Sequence, residues 1–328
     1  MSVARPRSPP FMYRADMNMV VTGGAGFIGS ALARALLRAG HEVTILDNLS
    51  TGRKENLPGG ARFLEGDVRD RASLVEALAG AETVFHQAAL GSVPRSLEAP
   101  AASHESNATG TLNVLVAASA VGARRVVYAS SSSCYGPNSR DSQHESDPVN
   151  PASPYAVSKL AGEMYCTVWA SAYGLETVSL RYFNVFGPGQ RADSQYAAVF
   201  PRFISALLSN RPPEVYGDGE QARDFTYIQD VVRANILAAE STDASGRVFN
   251  IAGGSSRSVN EVLRSVSKQV GTWIPPRFLP ARIGDIRNSR ADTSAARDTL
   301  QWSPLSQWDE AVAETVEWFR HHASTGSA

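Results

Sequence analysis

The chain has 328 residues, of which 43% are hydrophobic and 19% are charged, a composition that can bury a core and excludes a disordered chain. Lysine and arginine number 31 against 32 acidic residues, so the basic surplus typical of nucleic-acid binding is absent. Two cysteines cannot form a disulfide framework, and no apolar run reaches the roughly 18 residues of a membrane span. We expect a cytoplasmic protein with neither a nucleic-acid nor a membrane partner.

The first half of the chain alternates short apolar runs with helical patterns, which is typical of βαβ units and of a parallel sheet covered on both faces. After about residue 185 the pattern becomes irregular and rich in proline and glycine. The predicted strands are Met17–Thr22, Glu42–Leu46, Ala61–Leu64, Thr83–His86, Arg125–Ala129 and Thr177–Leu180. The predicted helices are Phe27–Ala39, Leu74–Leu78, Ala108–Ala120 and Tyr155–Tyr173, with others near 199–209, 229–240 and 258–270.

The predicted fold class is α/β: a doubly wound parallel sheet of the Rossmann type with a smaller C-terminal α/β substrate-binding lobe. Residues 1–16 carry three prolines and three arginines without the apolar stretch of a secretory signal, which predicts a disordered N-terminal extension. Residues 17–185 are assigned to the nucleotide-binding domain and 186–328 mainly to the lobe. We expect the two parts to depend on each other, with the chain able to cross between them.

A glycine-rich turn joins the first predicted strand to the first predicted helix. Gly23, Gly26 and Gly29 lie three apart: the first permits a tight turn, the second lets the backbone approach a pyrophosphate, and the third lets helix pack on strand. The amides of the helix N-terminus favour phosphate. Asp47 ends the second strand, where a carboxylate binds an adenosine ribose and repels a 2′-phosphate. The pattern predicts NAD rather than NADP as cofactor.

The spacing Gly-x-x-Gly-x-x-Gly resembles the extended branch of the short-chain dehydrogenase/reductase superfamily. That resemblance implies an adenosine-side loop after Asp47 and an adenine contact after the third strand. The cofactor-binding residues that it implies in these regions are Phe27, Ile28, Asn48, Ser50, Thr51, Gly52, Asp67 and Val68.

Tyr155 and Lys159 are spaced i and i+4 on a predicted helix, so their side chains lie on one face. A tyrosine with a pKa near 10 is a poor base at neutral pH, but an adjacent ammonium and a positive nicotinamide both favour the phenolate. Lowering that pKa by about 3 corresponds to roughly 4 kcal/mol and gives a general base suited to a hydroxyl proton. Ser131, on the turn after the fifth strand, resembles the catalytic serine of the same superfamily.

Five further segments resemble nucleotide-sugar 4-epimerases, in particular bacterial UDP-N-acetylglucosamine 4-epimerases. They are His86–Ser96, Arg181–Pro188, Tyr196–Pro201, Gly217–Glu220 and Arg223–Phe225. The resemblance implies further cofactor contacts at Gln87, Ala88, Ala89, Asn107 and Phe183. It implies UDP-sugar contacts at Gly91, Ser92, Ser132, Ser133, Asn184, Ala198, Val199, Tyr216, Arg223, Arg282 and Asp285.

The resemblance also implies a reaction and an assembly. Tyr155, Ser131 and Lys159 would support transfer of the C4 hydride to NAD and its return to the opposite face of a 4-keto sugar, with NAD retained between turnovers. A homodimer through a helix bundle that includes the Tyr155 helix is implied as well.

Ser289 is expected to gate the pocket beside the 2-substituent of the sugar. Because related enzymes limited to UDP-glucose and UDP-galactose carry a bulky tyrosine there, the serine favours interconversion of UDP-GlcNAc and UDP-GalNAc. UDP-glucose and UDP-galactose, UDP-uronic acids and modified UDP-sugars remain open as substrates. A dehydratase or decarboxylase is the main alternative, although Ser133 stands where those lyases carry a carboxylate. No cysteine or histidine spacing predicts a metal site.

Overall fold

The computed structural model describes residues 17–137, 140–193, 196–281 and 287–323. The extension predicted at residues 1–16 lies outside these ranges, as do Arg282 and Asp285 of the predicted substrate site. Within the described ranges, no helix combines the length and the apolar character needed to span a bilayer.

Short strands and helices alternate through most of the chain. The strands are β1 (Asn18–Thr22), β2 (Glu42–Asp47), β3 (Arg62–Glu65), β4 (Thr83–His86), β5 (Arg125–Ser131), β6 (Glu176–Tyr182), β7 (Val185–Phe186), β8 (Glu214–Tyr216), β9 (Ala222–Asp224), β10 (Thr226–Tyr227), β11 (Arg247–Ile251), β12 (Ser256–Ser258), β13 (Arg277–Leu279) and β14 (Asn288–Ser289). The α-helices are α1 (Phe27–Arg38), α2 (Arg71–Leu78), α3 (Val93–Glu98), α4 (Pro100–His104), α5 (Gly110–Ala120), α6 (Pro154–Val168), α7 (Val199–Leu208), α8 (Ile228–Glu240), α9 (Val259–Val270), α10 (Ser294–Leu300) and α11 (Trp308–Ala323).

A parallel sheet of seven strands, in the order β11-β6-β5-β4-β1-β2-β3, forms the centre of the molecule. The chain enters at β1 and winds to one edge through β2 and β3, then turns back to β4 on the other side of β1. Strand β4 is buried along its whole length, and β5 is buried except at its last residue, because helices cover both faces. The doubly wound fold predicted from the sequence is confirmed.

Two apolar cores hold the helices against the sheet. On one face, Leu32 and Leu36 of α1 pack with Val231 of α8 and Phe249 of β11. The other face holds the cores of α2, α5 and α6, which include Leu74, Val114, Leu115, Cys166 and the neighbouring Trp169.

A third core forms from segments that follow the carboxyl end of β6. Its aromatic centre is Phe186, Phe200 and Phe225, and it continues through Val262 of α9 and Val312 of α11. The Phe186 and Phe200 rings stack with their centroids 4.2 Å apart. This core builds the smaller lobe beside the end of the sheet where open α/β proteins bind ligands.

The chain returns to the sheet well after residue 185, where the sequence placed the end of the first domain. Helix α8 packs on the sheet, and β11 pairs with β6 from Arg247 opposite Val178 to Ile251 opposite Tyr182. The seventh strand was not predicted, because its short apolar run stands alone in a stretch with irregular periodicity. The chain crosses back to the sheet at α8 and β11.

Helix ends differ from the predicted ones for local reasons. The predicted helices Ala108–Ala120 and Tyr155–Tyr173 each join an α-helix to a π-helical segment, Glu105–Thr109 before α5 and Trp169–Tyr173 after α6. A π turn leaves no pattern of residue types that a helical periodicity would reveal. Helices α3 and α4 were not predicted, because prolines that suggest a break stand in their first turns, where proline is tolerated.

Candidate active site

The glycine-rich turn lies between β1 and α1 and has no room for side chains. Gly23 has φ +72°, and a Cβ there would lie 2.6 Å from the backbone nitrogen of Ala88. A Cβ on Gly29 would lie 2.2 Å from the carbonyl oxygen of Gly23. The turn therefore presents bare backbone at the N-terminus of α1, which is the geometry that a diphosphate requires.

Asp47 closes β2 beside this turn, and its buried carboxylate is held in place by backbone amides. The amide of Ala25 donates to Oδ2 at 2.9 Å, and that of Leu49 donates to Oδ1 at 2.8 Å. Burial raises the pKa of Asp47, whereas the two amides lower it. A carboxylate offers about four acceptor positions, so these two bonds leave capacity for a ribose hydroxyl.

A cavity of about 380 Å³ opens at the carboxyl ends of β1, β2 and β4. Most of the cofactor-binding residues predicted from the sequence line it, together with the catalytic pair. These lining residues are Gly23, Gly26, Phe27, Ile28, Gly29, Asp47, Asn48, Ser50, Thr51, Val68, Gln87, Ala88, Ala89, Tyr155 and Lys159. We call this space the first cavity.

Four predicted cofactor residues are not among those lining the first cavity. Gly52 lies directly against Asp47, since a Cβ there would be 2.9 Å from its Oδ1. Asp67 accepts a hydrogen bond from Asn48 Nδ2 at 2.7 Å and so supports the adenosine-side loop. Asn107 is buried, accepts the Leu90 amide at 2.8 Å and donates to Ser158, while Phe183 is buried beneath the site.

Tyr155 and Lys159 of α6 line the first cavity, and Ser131, which is not among the lining residues, approaches Tyr155 from the end of β5. Ser131 ends β5, and Tyr155 starts the first turn of α6, which Ser153 caps by accepting the Ala156 amide at 3.2 Å. The side chains of Ser131 and Tyr155 are hydrogen-bonded. Lys159, one turn further along α6, donates from Nζ to the carbonyl oxygen of Ala129 at 2.8 Å.

Burial dominates the protonation of both residues of the tyrosine–lysine pair. It raises the pKa of Tyr155 to about 12, with the hydrogen bond to Ser131 acting in the lowering direction. It lowers the pKa of Lys159 to about 8, which Cys134 and Glu163 partly oppose. The lowering expected from Lys159 is not among the influences on Tyr155; within the chain, Ser131 provides it.

A second cavity, of about 790 Å³, lies between the sheet and the smaller lobe. It shares Gly91, Ser92 and Ala198 with the first cavity, so the two spaces adjoin. Asn184, Val199, Tyr216 and Arg223 line it as well, which places seven of the predicted substrate residues on its wall. Asn184 has φ +26°, an unusual backbone conformation for a residue other than glycine.

Three predicted substrate residues have other surroundings. Ser132, Ser133 and Ser289 are not among the residues lining either cavity. Ser133 donates to Ser131, and Ser289 is buried in β14 opposite Arg223 of β9. The gate assigned to Ser289 stays a prediction.

The first cavity is also lined by residues that the sequence reasoning did not assign to the site, among them Arg95, Tyr182, Gln190, Arg191 and Tyr196. The hydroxyl of Tyr182 accepts from Asn235 Nδ2 of α8 at 2.8 Å, and Arg191 Nη1 donates to the Thr51 carbonyl at 2.7 Å. Tyr182 stands inside a segment already noted for its resemblance. Arg191 gave no separate signal, because an arginine after a Gly-Pro-Gly turn indicates a ligand only once the turn is known to cross the cavity.

Within the part of the chain that the structure describes, no group of three or more His, Cys, Asp or Glu side chains could hold a metal ion. The site combines a Rossmann sheet with a phosphate-type glycine turn, an acidic residue at the end of β2 and a serine–tyrosine–lysine constellation. These features define an enzyme of the extended short-chain dehydrogenase/reductase class. The chain belongs to the NAD dependent epimerase/dehydratase family, which matches residues 19–252, and NAD is its cofactor.

Two relatives illustrate the range of reactions in this family. A UDP-glucose 4-epimerase of Mycolicibacterium smegmatis is 40% identical over 93% of this chain and 99% of its own. A UDP-N-acetyl-alpha-D-glucosaminuronate decarboxylase of Bacillus cytotoxicus is 35% identical over 92% of this chain and 97% of its own.

Solved structures agree in fold over nearly the whole chain. A UDP-N-acetylglucosamine 4-epimerase from Methanobrevibacter ruminantium, in complex with UDP-N-acetylmuramic acid, is 41% identical with a TM-score of 0.90 and covers 94% of this chain and 99% of its own. A UDP-glucose 4-epimerase from Thermotoga maritima with UDP-glucose is 37% identical with a TM-score of 0.90 and covers 94% of this chain and 100% of its own.

Proposed function

We propose that the chain is a UDP-sugar 4-epimerase that interconverts UDP-GlcNAc and UDP-GalNAc through a 4-keto sugar. The observation that carries the proposal is the hydrogen bond between Ser131 and Tyr155, because Tyr155 lines the first cavity and that cavity adjoins the second at Gly91 and Ser92. A sugar whose UDP moiety occupies the second cavity would reach Tyr155 across this junction.

The residues around the first cavity fit NAD. The bare backbone of Gly23, Gly26 and Gly29 suits the diphosphate, and Asp47 suits the adenosine ribose. When bound there, NAD supplies the hydride acceptor and donor for C4 and a positive charge that favours the Tyr155 phenolate. Lys159, which also lines this cavity, would bind the nicotinamide ribose.

In this proposal the chain moves a proton and orients the sugar. Tyr155 accepts the proton of the sugar 4-hydroxyl and returns it after the sugar has turned, and Ser131 donates a hydrogen bond at the same centre. Arg223, on the wall of the second cavity, contributes charge-assisted bonds to the diphosphate. Arg282 and Asp285 are proposed substrate contacts that lie outside the described residues.

Incubation of the purified protein with UDP-GlcNAc, followed by ¹H NMR, tests the proposal. We expect UDP-GalNAc to form without added cofactor and with no change in mass. Tyr155→Phe should lower kcat by about 10²–10⁴-fold, because it removes the general base. The matched control is Tyr173→Phe, on the exposed end of the π-helical segment, which should keep full activity.

A lyase and a uronic-acid epimerase are the alternatives, and the same assay separates them. The decarboxylase relative motivates the lyase alternative. However, the position where such lyases would carry a carboxylate, in the turn after β5, is Ser133 in this chain. Loss of water or CO₂ from UDP-GlcNAc, UDP-glucose or UDP-glucuronate, seen as a change in mass, would contradict epimerisation. Preference for UDP-glucuronate with mass unchanged would retain the reaction and change the substrate.

The N-acetyl preference rests on Ser289 and on similarity to a UDP-N-acetylglucosamine 4-epimerase. Ser289 follows the predicted diphosphate residues and pairs with Arg223 across the sheet, so its strand borders the predicted substrate site. We expect Ser289→Tyr to abolish turnover of UDP-GlcNAc while sparing UDP-glucose. Equal loss on both sugars would remove the gate assignment.

We also propose a homodimer formed through α5 and α6. Val157, Met164 and Val168 are 51%, 58% and 47% exposed on one face of α6, and Val116 of α5 is 38% exposed. A face of this kind is typical of a protein–protein contact. Met164→Glu should convert the dimer to a monomer in sedimentation velocity, whereas Val75→Glu, at an equally exposed valine of α2, should not. A wild-type monomer at micromolar concentration contradicts the proposal.

A further inference from the structure

The hydroxyl of Ser131 lies between Ser133 on one side and Tyr155 on the other. Its Oγ accepts the backbone amide of Ser133 at 3.2 Å and the hydroxyl of Ser133 at 2.9 Å. A serine hydroxyl has two acceptor positions and one proton. Because Ser133 occupies both acceptor positions, the proton of Ser131 is what remains for the Tyr155 oxygen.

The direction of that hydrogen bond decides which form of Tyr155 is stabilised. A proton donated by Ser131 favours the phenolate, whereas a Ser131 oxygen that accepted the phenol proton would favour the neutral form. Only the first arrangement assists a general base. The Ser133 hydroxyl selects the first arrangement, because it fills the acceptor position that the phenol would otherwise use.

We propose that Ser133 is a positioning residue that directs the Ser131 proton toward Tyr155. The proposal rests on the epimerase function proposed above and refines it. It also differs from the substrate contact that the sequence resemblance implies for Ser133, because here the Ser133 hydroxyl acts through Ser131.

The test leaves in place the other ionisable groups that act on Tyr155 or line the first cavity with it. They come from the helix of Tyr155 itself, from the turn after β5, from β6 and from α3. The groups are Lys159, Cys134, Tyr182 and Arg95.

The kinetic test compares Ser133→Ala, Ser133→Val and Ser133→Thr in the NAD-containing enzyme. Loss of one hydrogen bond worth about 1 kcal/mol lowers kcat about five-fold at neutral pH in the Ala and Val variants. The acidic limb of their kcat–pH profile moves up by about 0.7 of a pH unit, and KM stays within about two-fold. Thr, which keeps the hydroxyl, should restore both the rate and the profile.

Three kinetic outcomes overturn the proposal. A raised KM with kcat unchanged makes Ser133 a substrate contact. A lower kcat with an unmoved acidic limb makes its role merely structural. Unchanged kinetics in the Ala and Val variants removes any role.

A substrate-free measurement keeps this test separate from the proposed function. In holoenzyme labelled with ¹³Cζ-tyrosine, the Tyr155 signal is assigned by its loss in Tyr155→Phe and titrated against pH. We expect a higher pKa for Tyr155 in Ser133→Ala than in wild type and in Ser133→Thr. That result in an enzyme that does not epimerise would leave the positioning role standing without the proposed function; equal pKa values in an active enzyme would do the reverse.

Discussion

Lys159 carries a positive charge in a buried environment, which disfavours the charged form. Its ammonium is buried, with one backbone acceptor on Ala129 and the ring of Tyr128 centred 5.1 Å away. His86 is also buried. Burial lowers its pKa to about 3, so it stays neutral. The site therefore holds a cation at a cost in stability, which is typical of functional rather than structural placement.

The stability of the protein should therefore depend on Lys159 as the pH rises. Burial lowers the pKa of Lys159 to about 8 from its ordinary value of 10.5, so the unfolded chain binds a proton that the folded chain has released between these values. The free energy of unfolding rises with pH through that window and falls as the pH drops through about 8, by about 3 kcal/mol in all.

Urea unfolding of wild type and Lys159→Met between pH 7 and 10.5 measures this effect. As the pH rises, the unfolding free energy of wild type should increase relative to that of Lys159→Met, so that the difference between the two proteins shrinks or changes sign. A difference that stays constant across the window would mean that Lys159 is not a buried cation in the folded state.

Helix α6 carries the catalytic residues on one face and anchors them with an ion pair. Glu163, one turn beyond Lys159, receives Arg181 of β6 through two bonds at 2.8 and 2.7 Å, and both side chains are buried. Ser130, the neighbour of Ser131, donates its hydroxyl to the same carboxylate. One carboxylate thus fixes the helix of Tyr155 to the strand that ends in Ser131.

Glu163→Gln should lower the stability by about 3–5 kcal/mol, because it leaves the buried Arg181 without a counter-charge. Asp309→Asn is the matched control: it breaks the exposed pair with Lys268 at 2.9 Å and should change the stability by about 1 kcal/mol or less. Urea unfolding at pH 7 compares them. Similar losses in both variants would show that burial of the Glu163 pair has no special weight.

We expect the glycine-rich turn not to tolerate a single added methyl group at Gly29. Gly29→Ala puts a Cβ 2.2 Å from backbone, so the turn must distort and we expect purified protein with little bound NAD. Gly59→Ala, where a Cβ would have no neighbour within 4 Å, should retain it. Bound nucleotide is released by acid and measured by chromatography; full NAD content in Gly29→Ala would exclude the close approach described here.

The sequence predicts the elements whose signal is local. Strands such as Thr83–His86 are buried on both faces and read as apolar runs, and the turn glycines are spaced by the needs of a phosphate. The sequence does not predict which residues line the site through contacts that are distant along the chain. Tyr182 and Arg191 line the first cavity through contacts with Asn235 and Thr51, which are distant in sequence. The bond from Ser133 to Ser131 likewise could not be predicted from the residue types in the turn.

At the scale of the whole molecule, the two halves share one sheet. Helix α8 and β11 supply Val231, Val232, Leu237, Phe249 and Ile251 to the core that also holds α1. Burying such a side chain contributes about 1.5–3 kcal/mol, and a whole protein is stable by only about 5–15 kcal/mol. We therefore expect the first half to unfold when these residues are removed.

A fragment of residues 17–185 should therefore lack a cooperative thermal transition by circular dichroism, whereas residues 17–323 should retain one. The physical reason is the exposed edge of β6 and the uncovered face beneath α8. A cooperative melt of the short fragment would establish it as an autonomous domain and contradict the shared core.

The pairing of β11 with β6 joins strands that are synthesised at different times. Ribosomes add about 5–20 residues per second, so β6 emerges several seconds before the strand that covers its edge. During that interval the nascent chain presents an open parallel edge and an uncovered apolar face, both of which promote aggregation. Slow translation between residues 182 and 247 would lengthen the time during which the edge of β6 stays open to other chains.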